Sequence, residues 1–276
     1  MNPNQTVGLR RNPIDKFYTR ASVADSCIQH IGRVMCVNYA RDIIIEPSAG
    51  NGSFIPGIKS LCQNHLFYDI DPAHTDVIPR DYMTFDASTL PSLYSRIHIV
   101  GNPPFGRQSS LAIRFIKKSC EFCDSVSFIL PKSFKKESLK KHFPLAFHLI
   151  FECELPDKSF LVEGVEHDVP CVFQIWEKKN VDRPVSNKLE PTWFQFVQKH
   201  ENPDISIRRV GVNAGAVDTM IETKSTQSHY FIRILNHVPA AEVIPKLSQI
   251  SYEFNNTVGP KSISKQELIK EFIKIF

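Results

Sequence analysis

The 276-residue sequence contains no run of eighteen apolar residues, and no basic segment followed by an apolar one near its start. We therefore expect neither a membrane span nor secretion, and predict a soluble intracellular protein of the cytoplasm or nucleus. Its seven cysteines are an odd number without framework spacing, which predicts reduced thiols. Cys120 and Cys123 have a redox or zinc spacing, but no second cysteine pair accompanies them, so no metal is predicted.

In the segment 42–52, an apolar run follows Asp42 and leads into a glycine-rich turn. This turn lacks the patterns of the common nucleotide-binding loops. The segment reads Asp-Ile-Ile-Ile-Glu-Pro-Ser-Ala-Gly-Asn-Gly, which is typical of a buried strand running into a turn that approaches a ligand closely. There is no Gly-Lys-Ser/Thr ending, and the spacing of Gly50 and Gly52 departs from the dinucleotide fingerprint. Asp69 ends the next apolar segment, 23 positions after Glu46 (69 − 46), where doubly wound folds carry a carboxylate that binds ribose hydroxyls.

The tetrapeptide Asn-Pro-Pro-Phe, from Asn102 to Phe105, directly follows the apolar run 97–101. An Asn oxygen and a following Pro carbonyl can accept both protons of a planar amino group such as N6 of adenine, whose lone pair is delocalised into the ring. Two prolines hold the carbonyls rigidly, and the Phe ring offers a face on which a flat base can stack. A tight turn with an aromatic core anchor is the alternative that the tetrapeptide alone leaves open.

Strand and helix patterns alternate through the first two thirds of the chain, as a parallel sheet requires. Helical apolar stripes cover residues 23–35 and 111–119, and a short buried strand covers 125–130. Residues 147–155 and 171–177 predict two strands whose connection is too short for a crossover helix, so they should pair antiparallel. The composition, 42% apolar with a formal net charge of +4, permits one α/β domain with a smaller appendage and an anionic partner.

Together these segments resemble the S-adenosylmethionine-dependent amino-methyltransferases, most closely the adenine-N6 branch in which the cofactor motif precedes the catalytic motif. The resemblance spans residues 14–180. It implies an α/β fold with a doubly wound, Rossmann-like seven-stranded sheet whose last strand is antiparallel. It also implies S-adenosyl-L-methionine as cofactor and adenine N6 in nucleic acid as methyl acceptor, with DNA favoured. RNA adenosine-N6, guanine-N2, a protein glutamine and a catalytically silent subunit are the alternatives, and glutamine enzymes usually carry Tyr at the position of Phe105.

The resemblance also assigns site residues. Those at the cofactor are Thr19, Glu46, Pro47, Ser48, Ala49, Gly50, Gly52, Asp69, Asp81, Tyr82 and Asn102. The catalytic residues are Asn102, Pro103, Pro104 and Phe105, and those at the substrate are Phe105, Phe160 and Lys132. Asp81 and Tyr82 would contact the cofactor adenine, although an Asx turn is the alternative for Asp81, and Asp71 and Asp86 compete for the acidic roles. Phe160 would stack on the base, or be a core residue at a hairpin base.

Flanking regions complete the predicted organisation. Residues 1–16 carry two arginines and predict a flexible basic arm, residues 17–180 the methyltransferase domain, and 192–276 a small α+β module for substrate recognition. Strands are expected within 205–212 and 229–235, and a helix over 265–275. The lysines Lys132, Lys135, Lys136, Lys140 and Lys141 suit a phosphate backbone, or form a solvated helix face. The pattern leaves the oligomeric state open.

Overall fold

A computed structural model describes residues 17–185, 188–235, 238–252 and 261–275. The predicted basic arm, residues 1–16, lies outside the described residues. The chain divides into two compact units, of which the first ends at Pro184 and the second begins at Val185. Among the described residues, no helix is both long and apolar enough to span a bilayer.

The first unit has ten strands and four α-helices among its described residues. The strands are β1 (Tyr18–Thr19), β2 (Ile43–Glu46), β3 (His65–Asp69), β4 (Ile78–Pro79), β5 (Ile97–Gly101), β6 (Ser125–Pro131), β7 (Phe147–Glu154), β8 (Phe160–Val162), β9 (Val165–His167) and β10 (Cys171–Lys178). The helices are α1 (Ala21–Val34), α2 (Ile55–Leu61), α3 (Ser110–Cys120) and α4 (Glu137–Lys140).

Seven of these strands form one mixed sheet in the order β4-β3-β2-β5-β6-β10-β7. The pairs from β4 to β6 are parallel, whereas β10 runs antiparallel to both β6 and β7. The segment between β7 and β10 holds only a short hairpin and no crossover helix, which explains the antiparallel pairing. This is the strand order of the Rossmann-like methyltransferase sheet, and the predicted fold class is confirmed.

The two faces of the sheet bury separate cores. Along β2, Ile44 points to one core while Ile43 and Ile45 point to the other, as the two-residue period of a strand requires. Helices α1 and α2 cover the first face and α3 covers the second. The first two helices approach closely at Gly57, where a Cβ would lie 2.6 Å from Cγ1 of Ile28, so a larger residue does not fit there.

A separate three-stranded sheet has the order β1-β8-β9 and contains the segment inserted between β7 and β10. Strands β8 and β9 form a hairpin whose two turn residues, Glu163 and Gly164, both have positive φ, of 50° and 81°. Positive φ at both central positions is the mark of the type I′ turn that suits tight hairpins. The N-terminal strand β1 pairs antiparallel with β8, so the beginning of the described chain is held by an element more than a hundred residues later.

The second unit has an antiparallel four-stranded sheet and two helices among its described residues. They are β11 (Phe194–Val197), β12 (Ile205–Arg208), β13 (Val217–Asp218), β14 (His229–Ile234), α5 (Ala240–Ser248) and α6 (Lys265–Phe272). The strand order is β11-β14-β12-β13. Its core combines aliphatic side chains with an aromatic cluster, in which Trp193 is stacked on Phe272 at 5.7 Å between ring centroids. Helix α6 begins with a capping box between Ser264 and Glu267, which fixes its start.

Candidate active site at the carboxyl ends of the parallel strands

The candidate residues converge because β3, β2 and β5 are neighbours and parallel. Asp69 ends β3, Glu46 ends β2, and Asn102 follows the end of β5. The carboxyl edge of such a sheet is where open α/β folds bind their ligands. The chain thus brings two acids and an amide to one edge, from segments spread over about a fifth of the sequence.

The glycine-rich turn after β2 is tied to the end of β3. Gly50 and Gly52 both have positive φ, of 50° and 79°, and the Gly50 amide donates to Oδ2 of Asp69 at 2.8 Å. A Cβ at Gly50 would lie 2.8 Å from Cε1 of Tyr18, so the close packing of that ring requires glycine. Asp69 Oδ1 accepts the amide of Asp71 at 2.9 Å. A carboxylate has about four acceptor positions, so Asp69 can accept further hydroxyl donors.

Other residues assigned to the cofactor shape this turn. Ala49 is buried and its amide donates to the Tyr68 carbonyl at 2.8 Å, which anchors the turn to β3. Pro47 is also buried. Thr19 is buried in β1, and its carbonyl accepts the Ser53 hydroxyl at 2.6 Å. These contacts make the backbone of the turn a rigid support.

Glu46 is a buried acid with an unused oxygen. The residue is 1% exposed, and its Oε2 has no hydrogen-bond partner among the described residues. Burial, and then the nearby charge of Asp69, raise the pKa of Glu46 well above its usual range. A cationic ligand group at Oε2 would supply both the missing hydrogen bond and the compensating charge.

Asn102 carries the second unused oxygen. Its Nδ2 donates to the carbonyl of Phe17 at 3.1 Å, and because a carbonyl only accepts, this contact fixes the orientation of the amide. Oδ1 is then buried without a partner among the described residues. Leaving a buried acceptor unpaired costs about 1–3 kcal/mol, so Oδ1 marks a position that a ligand donor can fill. The Ser48 hydroxyl donates to the Asn102 backbone carbonyl at 3.1 Å and braces the residue.

The rest of the tetrapeptide fixes the turn and offers an aromatic face. Pro103 is buried, Pro104 is exposed and Phe105 is half-buried. The Phe105 ring packs against both cores, and its carbonyl accepts the amides of Leu111 and Ala112 at 3.1 and 3.3 Å. These bonds join the turn to the start of α3, so the part of the ring that stays accessible has a fixed direction.

Two features at this edge were not predicted from the sequence. Ile70 directly follows Asp69 and is 76% exposed, so an apolar side chain lies uncovered beside the ribose-type carboxylate. The sequence contains a signal for this feature, because an apolar residue directly follows the acid that ends the strand. Beyond the tetrapeptide, Gln108 and Ser109 have positive φ, of 52° and 62°, which costs about 1–3 kcal/mol each and is typical of functional sites.

Tyr82 and Phe160 are core residues in the structure, which for Phe160 is the alternative to base stacking that the sequence left open. Tyr82 is 1% exposed, and its hydroxyl hydrogen-bonds to Ser119 Oγ at 3.0 Å. Burial raises the pKa of Tyr82 far above its usual range. Phe160 is 0% exposed and packs edge-to-face on Phe17. Neither ring is accessible to a ligand, because tertiary packing covers both.

Asp81 and Asp86 are exposed and serve as caps of short 3₁₀ turns. Asp81 accepts the amide of Met83 at 2.9 Å, and Asp86 accepts the amide of Ser88 at 2.9 Å. The hydrogen bonds from Ser88 lower the pKa of Asp86. Both acids therefore make the Asx-type contact that was the alternative for Asp81. Because their contacts have the same geometry, the structure does not favour either acid as a ligand-binding residue.

The lysines after β6 are largely paired with acids. Lys132 and Lys135 form ion pairs with Glu154 at 2.6 and 2.8 Å, and Lys140 lies 3.6 Å from Glu152. The hydrogen bond from Lys132, followed by the one from Lys135, lowers the pKa of Glu154. Because two acids compensate three of the five lysines, the cluster attracts phosphates less than its sequence indicates.

Cys120 and Cys123 belong to the second core. Both thiols are buried at the end of α3, and burial raises the pKa of Cys123 well above its usual range. Among the described residues, no group of three or more His, Cys, Asp or Glu side chains is arranged to hold a metal ion.

No protein-family model matches the sequence. No curated protein matches it either. Solved structures are similar only at a distance. The 23S rRNA methyltransferase ErmE is 13% identical over 60% of this chain and 71% of its own, with a TM-score of 0.42. A type I restriction-modification system methyltransferase subunit from Streptococcus thermophilus is 15% identical over 60% and 45%, with a TM-score of 0.43.

The N-methyltransferase NodS from Bradyrhizobium japonicum is 11% identical over 58% of this chain and 98% of its own, with a TM-score of 0.40. At these identities and scores none of the three assigns a family or an activity to this chain. The fold rests on its own strand order, and a function has to rest on the geometry of the site.

Proposed function

We propose that the protein is an S-adenosylmethionine-dependent methyltransferase that methylates the N6 amino group of adenine in a nucleic acid, with DNA as the favoured polymer. The observation that carries this proposal is the buried Oδ1 of Asn102, which accepts no hydrogen bond from the residues that the structure describes and is held in place by the bond from Nδ2 to Phe17. It lies in an Asn-Pro-Pro-Phe turn at the carboxyl edge of the sheet. An acceptor fixed in this way suits a planar amino group, which must donate a hydrogen bond from each of its two hydrogens.

The neighbouring residues fit the proposed cofactor. Glu46 Oε2 has no hydrogen-bond partner within the described part of the chain and would pair with the ammonium of the methionine part. Asp69 has acceptor positions left for two ribose hydroxyls, and the exposed Ile70 side chain offers an apolar surface for the adenine. The bound cofactor would supply a methyl group that is already activated by attachment to a positively charged sulfur.

The chain's own residues would then act by orienting the adenine and its amino group. Asn102 Oδ1 and the Pro103 carbonyl would accept the two amino hydrogens, which draws the nitrogen lone pair out of the ring and toward the methyl carbon. The accessible face of Phe105 would stack on the base. The substrate nitrogen would gain the methyl carbon in exchange for the carbon–sulfur bond that the bound donor would supply, and it would lose one amino proton to water. No base of shifted pKa is required, because positioning and electrostatic complementarity supply most of the rate.

The cost of base flipping and the charge around the lysine cluster bear on the choice of polymer. In a duplex the target base must leave the stack at a cost of a few kcal/mol, which stacking on Phe105 would offset in part. Ion pairing of Lys132, Lys135 and Lys140 with Glu152 and Glu154 weakens the case for a strong phosphate-binding surface there. A single-stranded or unpaired adenine therefore belongs among the substrates to be tested.

The test is a methyl-transfer assay on purified protein. Radiolabelled methyl donor is incubated with duplex DNA, single-stranded DNA, RNA and protein, and the modified nucleoside or residue is identified by mass spectrometry. The proposal predicts N6-methyladenine, and DNA gives the larger yield if the favoured polymer is right. Label in guanine N2 or in a glutamine amide would overturn the adenine assignment, and absence of label from all four would overturn the enzymatic one.

A further inference from the structure

Phe17 and the adjoining strand β1 together contact the Asn-Pro-Pro-Phe turn and the glycine turn. The Phe17 carbonyl accepts Asn102 Nδ2 at 3.1 Å across 85 positions of sequence. The Tyr18 ring lies directly over Gly50. The Thr19 carbonyl accepts the Ser53 hydroxyl just beyond that turn. Three consecutive residues therefore contact both turns of the proposed site, Phe17 and Thr19 through their backbone carbonyls and Tyr18 through its ring.

The β8–β9 hairpin holds this strand. Tyr18 and Thr19 pair with Leu161 and Phe160, and the Arg20 amide donates to the Ser159 carbonyl at 3.0 Å. The Phe17 ring also packs edge-to-face on Phe160 and His167, with centroids 6.3 and 6.1 Å apart. The position of the Phe17 carbonyl is thus set by the hairpin, an insertion outside the seven-stranded sheet.

The Phe17 carbonyl decides which atom of the Asn102 amide meets the substrate. A flipped amide would place Nδ2 in the site, where it would oppose a substrate amino group that is itself a donor. In the observed orientation Nδ2 is used by the carbonyl and Oδ1 is left as the acceptor. The acceptor is the backbone carbonyl of Phe17 and not its side chain, so the residue type at position 17 does not predict this hydrogen bond.

We propose that β1 and the β8–β9 hairpin form a positioning strap that holds Asn102 with its amide oxygen toward the substrate. Phe17 acts through Asn102 and is a positioning residue. The kinetic consequence rests on the proposed function, whereas the orientation of the amide does not. The two can therefore be tested apart.

The test uses a matched pair of substitutions at Arg20 in the full chain. Arg20 has φ −64°, which proline adopts without strain, and the strand conformation of Thr19 suits a residue before proline. Arg20→Pro removes the amide bond to Ser159, while Arg20→Ala keeps it. Both variants lose the ion pair of Arg20 with Glu166, so their difference isolates the strap. Phe17→Ala, which removes the ring packing, is the second test variant, and melting temperatures verify that each variant is folded.

The first readout is the Asn102 side-chain amide in nitrogen-15 NMR, assigned by its absence from Asn102→Asp. We expect its hydrogen exchange to be slow in the wild type and Arg20→Ala, and about tenfold faster or more in Arg20→Pro or Phe17→Ala. Equal exchange in folded variants would overturn the strap. This readout needs no substrate, so it decides the inference even if the wild type methylates nothing.

The second readout separates kcat from KM for methyl transfer. A loosened Asn102 should lower kcat by about tenfold to a hundredfold, with the dissociation constant of the methyl donor changed less than about threefold. Arg20→Ala should keep the wild-type kcat. A kcat in Arg20→Pro equal to that of Arg20→Ala, or a loss confined to KM, would contradict the positioning role.

Discussion

Gly101 lies directly against Glu46 at the end of neighbouring strands β5 and β2, and a Cβ at position 101 would be 3.1 Å from Cγ of Glu46. Gly101 also has φ of 147°, which L side chains rarely adopt. The glycine before Asn102 therefore leaves the space that the buried acid occupies. This contact couples the proposed catalytic turn to the proposed ammonium-binding residue through packing.

We predict that Gly101→Ala weakens cofactor binding and destabilises the protein. The added methyl must displace Glu46 or shift the backbone, and overpacking of this kind costs about 1–3 kcal/mol. Calorimetric titration with S-adenosylmethionine and thermal melting measure the two effects. Gly164→Ala is the control for a positive-φ glycine, because a Cβ there meets nothing within 4 Å. Equal affinity in Gly101→Ala and the wild type would contradict the predicted coupling.

Glu46 predicts a pH dependence of cofactor binding. Its raised pKa in the free protein favours the protonated acid, whereas an ammonium ligand favours the carboxylate. Affinity should therefore fall as the pH falls through the raised pKa, and binding should release a proton. Titration calorimetry in buffers of different ionisation enthalpy measures this release. Glu46→Gln should bind more weakly and release no proton, and unchanged proton release in that variant would assign it to another group.

His98 predicts a pH dependence of stability at the opposite edge of the sheet. A neutral ring accounts for its contacts, with Nε2 donating to Asp42 at 3.2 Å and Nδ1 accepting from the Ser125 hydroxyl at 2.7 Å. Burial lowers the pKa of His98, and Arg96 adds to the shift against the opposing effect of Asp42 and Asp124.

Because the unfolded chain then takes up a proton more readily, stability contributed by neutral His98 is lost as the pH falls below about 6.5. Melting temperatures between pH 5 and 8 measure the effect, within the range where His titrates. His98→Gln should melt lower than the wild type near neutral pH, and its melting temperature should fall less steeply on acidification. Parallel curves for the two proteins would show that another group titrates.

Arg183 links the end of the first unit to the segment 140–147 by hydrogen bonds. Its guanidinium donates to four backbone carbonyls, those of Pro144, Phe147, Lys140 and Phe143, at 2.5, 2.7, 3.2 and 2.8 Å. It also lies over the Trp176 ring, 5.3 Å from the centroid. An ammonium cannot reproduce this planar set of donors.

Arg183→Lys should therefore destabilise the first unit by about 1–3 kcal/mol, because it preserves the charge but removes most of these hydrogen bonds, three of which are part-buried. Denaturant unfolding followed by the fluorescence of Trp176 measures the change, with Trp193 of the second unit replaced by Phe in both proteins. Lys141→Met, which removes a nearby exposed cation, is the control and should have little effect. Equal stability of Arg183→Lys and its parent would contradict a structural role of the planar guanidinium.

The sequence predicts the parts of the site that are local in the chain. The turn after β2, the acid at the end of β3 and the Asn-Pro-Pro-Phe turn each combine a strand with residues of restricted conformation, so their spacing was enough to bring them to one edge. The sequence did not predict that the Tyr82 ring is buried, and it left the position of Phe160 open between base stacking and the core, because burial depends on elements far away in sequence. The Phe17 carbonyl was missed because a backbone contact carries no residue preference.

The most direct test of the proposed activity compares Asn102→Ala with the wild type in the formation of N6-methyladenine from labelled methyl donor, with the dissociation constant of the donor measured in parallel. Loss of the Asn102 oxygen should lower methyl transfer by at least about a hundredfold, because the amino group loses a fixed acceptor. Donor binding should change little, since Glu46 and Asp69 are untouched. Methyl transfer by Asn102→Ala at the wild-type rate would contradict the assignment of this turn as the catalytic site.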